Sequence, residues 1–130
     1  MASVLTDGGK AIVTNRIRAG GTEPLNIGWG TGAGTAAAAD TTLFAEKLVD
    51  LATSAGTDHT VGTSSQQTTT VTNDTYRVVG TRTATGAGTV TNAGLFDAAS
   101  GGTLFVKGDF TGIGLANGDS IAFTFNTKFA

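Results

Sequence analysis

The chain has no cysteine, and only one proline, one histidine, one tryptophan and one tyrosine among 130 residues. Without cysteine, neither a disulfide framework nor a thiolate metal site can form. The single imidazole, His59, sits in a polar stretch. It makes a zinc site only if acidic side chains converge on it, and Asp58 is the candidate partner beside it. Charge is scarce too, at 14% of residues against about 25% in an ordinary domain. The eight basic residues are scattered, apart from a small N-terminal group, and the net charge is −2. That argues against nucleic acid, which needs a basic stripe or patch. No apolar run approaches the ~20 residues of a membrane span. The N-terminus lacks the charged-then-apolar signature of a secretory signal. The expectation is one domain, residues 1–130, with no cofactor and with neither nucleic acid nor membrane as partner.

Two residue types are abundant. Glycine occurs 20 times and threonine 25 times. Threonine suits a pleated, half-exposed surface, and glycine serves turns and bulges. A Thr/Gly/Ala/Ser surface with few charges is expected where that surface meets other protein.

The last third organises the reading. In Ser120 to Phe129, Ile121, Phe123, Phe125 and Phe129 share one parity, while Ala122, Thr124, Asn126 and Lys128 share the other. Alternation of period two predicts a strand with one face on a core. Thr103 to Phe110 places Leu104, Val106 and Phe110 on one face, with Lys107 and Asp109 opposite. Asn117-Gly118-Asp119 signals the turn between these strands. Val90 to Phe96 leads through Asp97 to Gly102 into the Thr103 strand as a hairpin. Upstream, Tyr76 to Ala84 and Leu25 to Gly30 read as strands, with Trp29 as a core anchor. Lys10 to Arg18 reads as a short helix capped by Thr6 or Asp7, with Ala11, Val13 (or Ile12) and Ile17 as its apolar stripe. Residues 53–75 are polar and predict a protrusion. The fold expected is an all-β antiparallel sandwich, jelly-roll-like, over residues 25–130, preceded by a helix or arm over residues 1–24.

Catalytic patterns are weak. Gly32-Ala33-Gly34-Thr35-Ala36-Ala37 matches a dinucleotide fingerprint, but no amphipathic helix and parallel strand follow it. No Gly-x-Ser-x-Gly elbow accompanies His59. Asp7, Asp40, Asp74, Asp97 and Asp119 fall in turns, where Asp bonds to backbone. The expectation is that the protein is not an enzyme.

Three blocks carry a family likeness. They are Leu5-Thr6-Asp7-Gly8-Gly9-Lys10 with Ile27-Gly28-Trp29-Gly30-Thr31-Gly32; Asp40-Thr41-Thr42-Leu43-Phe44-Ala45-Glu46; and Asn92-Ala93-Gly94-Leu95-Phe96-Asp97-Ala98 running into Gly101-Gly102-Thr103-Leu104 and Gly118-Asp119. Together they resemble small virion proteins of tailed bacteriophages, in particular capsid decoration (cement) proteins. The meander is also similar to that of phage tail-fibre and collar modules, which implies host-glycan binding as the alternative. The cement resemblance implies a β-domain that binds as a dimer or trimer to the major capsid protein, on the outer surface of an assembled head. It implies no catalytic residues. The contact segments expected are Met1 to Arg18 and Ser64 to Asp74, through Leu5, Lys10, Val13, Arg16, Ile17, Arg18, Ser64, Gln66, Gln67 and Thr69.

Overall fold

A computed structural model describes residues 4–129. Residues 1–3 of the expected N-terminal contact segment lie outside the described residues. The elements are one helix, α1 (Asp7–Ala19), and eight strands: β1 (Asn26–Gly30), β2 (Glu46–Lys47), β3 (Thr60–Val61), β4 (Thr63–Gln67), β5 (Thr75–Thr83), β6 (Gly88–Phe96), β7 (Leu104–Leu115) and β8 (Ser120–Lys128). All named pairings are antiparallel. One sheet has the order β2-β1-β6-β7, with β3 beside β2 on the same edge of β1; the other has the order β4-β5-β8. The two sheets pack face to face as the expected all-β sandwich.

The core follows the alternation of the strands. Ile27 and Trp29 of β1 and Val90, Ala93 and Leu95 of β6 face Tyr76 and Val78 of β5, all buried. Phe123 and Phe125 of β8 bridge the two halves of this core. The Ala116–Asp119 turn between β7 and β8 forms where the Asn-Gly-Asp signal places it. Gly118 takes φ 94° there, which favours glycine. Asp119 accepts the Ala116 N–H at 2.8 Å.

Strand β1 is buried on both faces. Its outward face is covered by residues 31–45, which fold back over the sheet. A side chain at Gly30 would stand 2.3 Å from the Phe44 carbonyl oxygen, so only glycine admits this loop. Asn92 of β6 then clamps Phe44, accepting its N–H at 2.9 Å and donating to its carbonyl at 3.1 Å. Alternation puts Lys107 on the exposed face with Asp109. Its side chain is in fact 4% exposed. It bonds Asp40 at 2.9 Å and the Thr42 carbonyl at 2.8 Å, and lies 3.2 Å from the Phe44 ring centroid. The outer face is a polar layer under a loop, invisible to a reading that counts only apolar residues.

The stretch 53–75 forms no protrusion. Residues 63–67 pair along β5, and residues 60–61 pair with β1. The turn 68–74 is tied down by Asp74, which is fully buried and accepts the N–H groups of Thr69, Thr70 and Val71 at 2.9–3.1 Å. Its polarity belongs to an edge strand and a caged turn.

Candidate functional site

Helix α1 and strand β4 bring the two expected contact segments onto one surface. Thr6 is the N-cap, its side chain accepting the Gly9 N–H at 3.1 Å, and Asp7 lies in the first turn. Glycine at positions 8 and 9 is a poor helix former, so the helix depends on docking. It docks on its own domain. Thr14 is fully buried, donating to the Asn73 carbonyl at 2.8 Å and accepting from Gln66 Nε2 at 2.7 Å. Gln66 also donates to the Ala11 carbonyl at 3.2 Å. Ile17 packs against the Ile27–Tyr76–Val78–Leu95 cluster. The seam is polar in the middle and apolar at one end. The sequence placed Ile12 as an alternative stripe residue, but it points outward at 62% exposure.

The residues read as contacts therefore divide. Lys10, Val13, Ile17, Ser64, Gln66 and Gln67 are half-buried within this helix–strand seam or beside it. Leu5, Arg16, Arg18 and Thr69 are exposed. Leu5 lies over Gly9, so Leu5, Gly9, Ile12 and Arg16 follow one helical row on the outward face. Val4 and Leu5 are 85% and 46% exposed beside it. This row ends at Arg16, while Arg18, two positions on, lies on another face of the helix.

The buried ionisable groups lie elsewhere. His59 is fully buried, stacked on Phe96 with ring centroids 4.0 Å apart. Its Nδ1 lies 2.8 Å from the Ala98 carbonyl and its Nε2 2.7 Å from Glu46 Oε1. A carbonyl only accepts, so Nδ1 carries a hydrogen and donates it. Asp58, the partner suggested by adjacency, makes no bond to the ring among the described residues; Glu46, 13 positions away, does. Both ring nitrogens are engaged within the protein, so the imidazole is structural.

Arg82 is 2% exposed. It reaches from β5 across the sandwich to donate to the carbonyls of Ile27 (3.1 Å), Lys47 (3.3 Å) and Asp58 (2.8 Å) and to the Thr60 hydroxyl (3.0 Å). Its guanidinium lies 5.0 Å from the Trp29 ring centroid, a cation–π contact. Burial pushes its pKa down to about 10, against the opposing pull of the Glu46 and Asp58 carboxylates. Tyr76 is also buried, and burial together with Glu23, to which its hydroxyl donates at 3.0 Å, raises its pKa. Among the described residues no group of three or more His, Asp or Glu side chains could hold a metal ion.

A cleft of about 350 Å³ lies between Ala36–Ala38 and Leu104–Lys107. Its two charged groups, Asp40 and Lys107, already pair with each other. The Lys107 hydrogen bond and the Ala37 N–H lower the Asp40 pKa. The Gly32–Ala37 stretch that matches the dinucleotide fingerprint is irregular and opens no helix. The aspartates at positions 40, 74, 97 and 119 each accept a backbone N–H in a turn or loop.

The chain matches no protein-family model, no curated protein and no solved structure.

Proposed function

We propose that this is a structural virion protein, a capsid decoration protein. It binds the outer surface of an assembled phage head and stabilises it by bridging subunits of the major capsid protein. The observation that carries the reading is the outward row of α1. A short helix fastened to its own domain by Thr14 and Ile17 still presents Leu5 and Ile12 to solvent, in one row with Arg16. Exposed apolar side chains beside a cation suit a protein partner with acidic groups around an apolar patch. The low charge of the rest of the surface suits close contact between neighbours on a shell. Many weak contacts on a closed shell act together, so a modest surface per copy is sufficient.

The docking of α1 shapes the test. Removing residues 2–18 would strip Ile17 and Thr14 from the core, so a point variant is the cleaner probe. Ile12→Glu with Arg16→Glu alters only exposed positions. The expected outcome is unchanged thermal melting and a loss of co-sedimentation with empty shells of at least about tenfold in apparent affinity. Wild-type occupancy by this variant would remove α1 as the shell-binding element. The tail-fibre or collar reading predicts a handful of copies per purified particle, and the decoration reading predicts hundreds.

A further inference from the structure

The sandwich is four strands wide in one sheet and three in the other. β1, flanked by β2 and β3, lies under β5: the Arg82 guanidinium reaches the Ile27 carbonyl, and Gly80 lies against Ile27. On the β4 side, α1 completes the three-stranded sheet. On the other side, β7 and β8 are both edge strands, joined by the Ala116–Asp119 turn. Among the described residues no strand stands beside β8 to face β7.

The consequence is seen in side-chain burial. Ile113 is the register partner of Val90, a fully buried core residue, and so faces the core side of its sheet. It is nevertheless 42% exposed. Phe110, Ile121, Phe123 and Phe125, which pack on the same core, are only half-buried. The apolar interior therefore opens to solvent along one side of the molecule. The edge is lightly defended: the one charged residue of β8 is the exposed Lys128 at its end, which donates to Thr70. From Phe110 to Thr127 the only charged residue is Asp119, which is spent in its turn. Soluble proteins blunt such edges with lysine, proline or inward charge.

We propose that the vacant place beside β8 is filled by β8 of a second copy of this chain, in antiparallel pairing about a two-fold axis. The three-stranded sheets then join into one six-stranded sheet, and the partner's β8 lies opposite β7, over Ile113 and Phe110. A register centred on Thr124 sets Ala122 against the partner's Asn126 and Ser120 against the partner's Lys128, so no like charges meet. On the inner face Phe123 meets the partner's Phe125. β8 spans ~30 Å and the two layers are ~10 Å apart, so counting about 5 Å of side chain on each outer face the open side offers roughly 600 Å² per copy, below but near the ~800 Å² per partner of a stable dimer. This surface is opposite the α1 row, and the proposal does not rest on the capsid reading.

The test is the oligomeric state of the full chain by sedimentation equilibrium, from low micromolar to hundreds of micromolar. Wild type is expected to be a dimer. Thr124 is exposed, so Thr124→Lys with Ala122→Lys should leave the thermal midpoint of the separated chain intact, while like charges across the two-fold weaken association at least about tenfold. Mixing it with Thr124→Glu/Ala122→Glu should restore a mixed dimer, more strongly at low salt. A monomeric wild type across that range overturns the proposal, as does a lysine variant that dimerises like wild type. If a monomeric lysine variant still decorates shells, the dimer stands and the shell contact lies elsewhere; if the Ile12→Glu/Arg16→Glu variant dimerises normally, loss of shell binding there is independent of this interface.

Discussion

Asp74 shows how much one side chain can organise. It is fully buried, a setting that by itself raises a carboxyl pKa. Three backbone N–H groups, from Thr69, Val71 and Thr70, and the Thr75 hydroxyl outweigh this and hold the pKa well below the usual carboxylate range. A group whose pKa is lower folded than unfolded contributes stability that is present above its unfolded value, about 3.9, and is lost as pH falls below it. Denaturation midpoints of the wild type should therefore drop as the pH is lowered from about 5 to about 2. Asp74→Asn keeps the shape but cannot accept from three donors as a carboxylate does. It should be less stable than wild type at pH 7, with the gap narrowing in acid. A gap that stays constant with pH would show that the carboxylate charge is not what closes the turn. The turn role of Asp74 was legible from its type and neighbours. The His59–Glu46 pair was not, because the partners are 13 residues apart and meet only once β2 and the 57–59 segment lie on the same outer face.

At the scale of the element, α1 was legible in its existence and its cap but not in its orientation. Its apolar residues are few, and two stripes fit the spacing equally well. On the docked face Thr14 accepts from Gln66 of β4 and donates to the Asn73 carbonyl, so Thr14 turns inward and Ile12 is left outside. Thr14→Val preserves shape while leaving Gln66 and the Asn73 carbonyl without that partner. The expected cost is about 1–2 kcal/mol in chemical denaturation, with faster amide exchange confined to residues 7–19 and the 68–74 turn. An unchanged stability would mean that Ile17 alone fastens the helix. Strands β6, β7 and β8 were legible in existence from period-two alternation and turn residues, but β7 runs to Leu115, past the expected end at Phe110, and register shifts at Val90/Asn92 and Leu95/Phe96 break its alternation, so Leu104 leaves the face of Val106 and Phe110. Strand β4 was not, since a polar edge strand paired on one side has no apolar signal to read.

For the whole molecule, Arg82 is the tie between sheets. It stands on β5 at the same parity as Tyr76 and Val78, where the pattern calls for an apolar residue. It donates instead to three main-chain carbonyls and a hydroxyl on segments of or beside the opposite sheet. Arg82→Ala leaves those acceptors buried and opens space under Trp29. The expected loss is about 3 kcal/mol or more, larger than that of Thr14→Val, read from urea unfolding with unchanged slope. If Arg82→Ala melted like wild type, the tie between sheets would be carried by apolar packing alone. The sequence by itself determined the β-sandwich class, the C-terminal meander, its turns and the position of Trp29 in the core, because these rest on local periodicity and on residues with special backbone freedom. Only the tertiary structure decided that α1 closes one side, that residues 31–45 roof the outer face, and that the side between β7 and β8 is left open. Those outcomes depend on how many strands each sheet receives and on which distant polar groups find each other, and no local pattern encodes either.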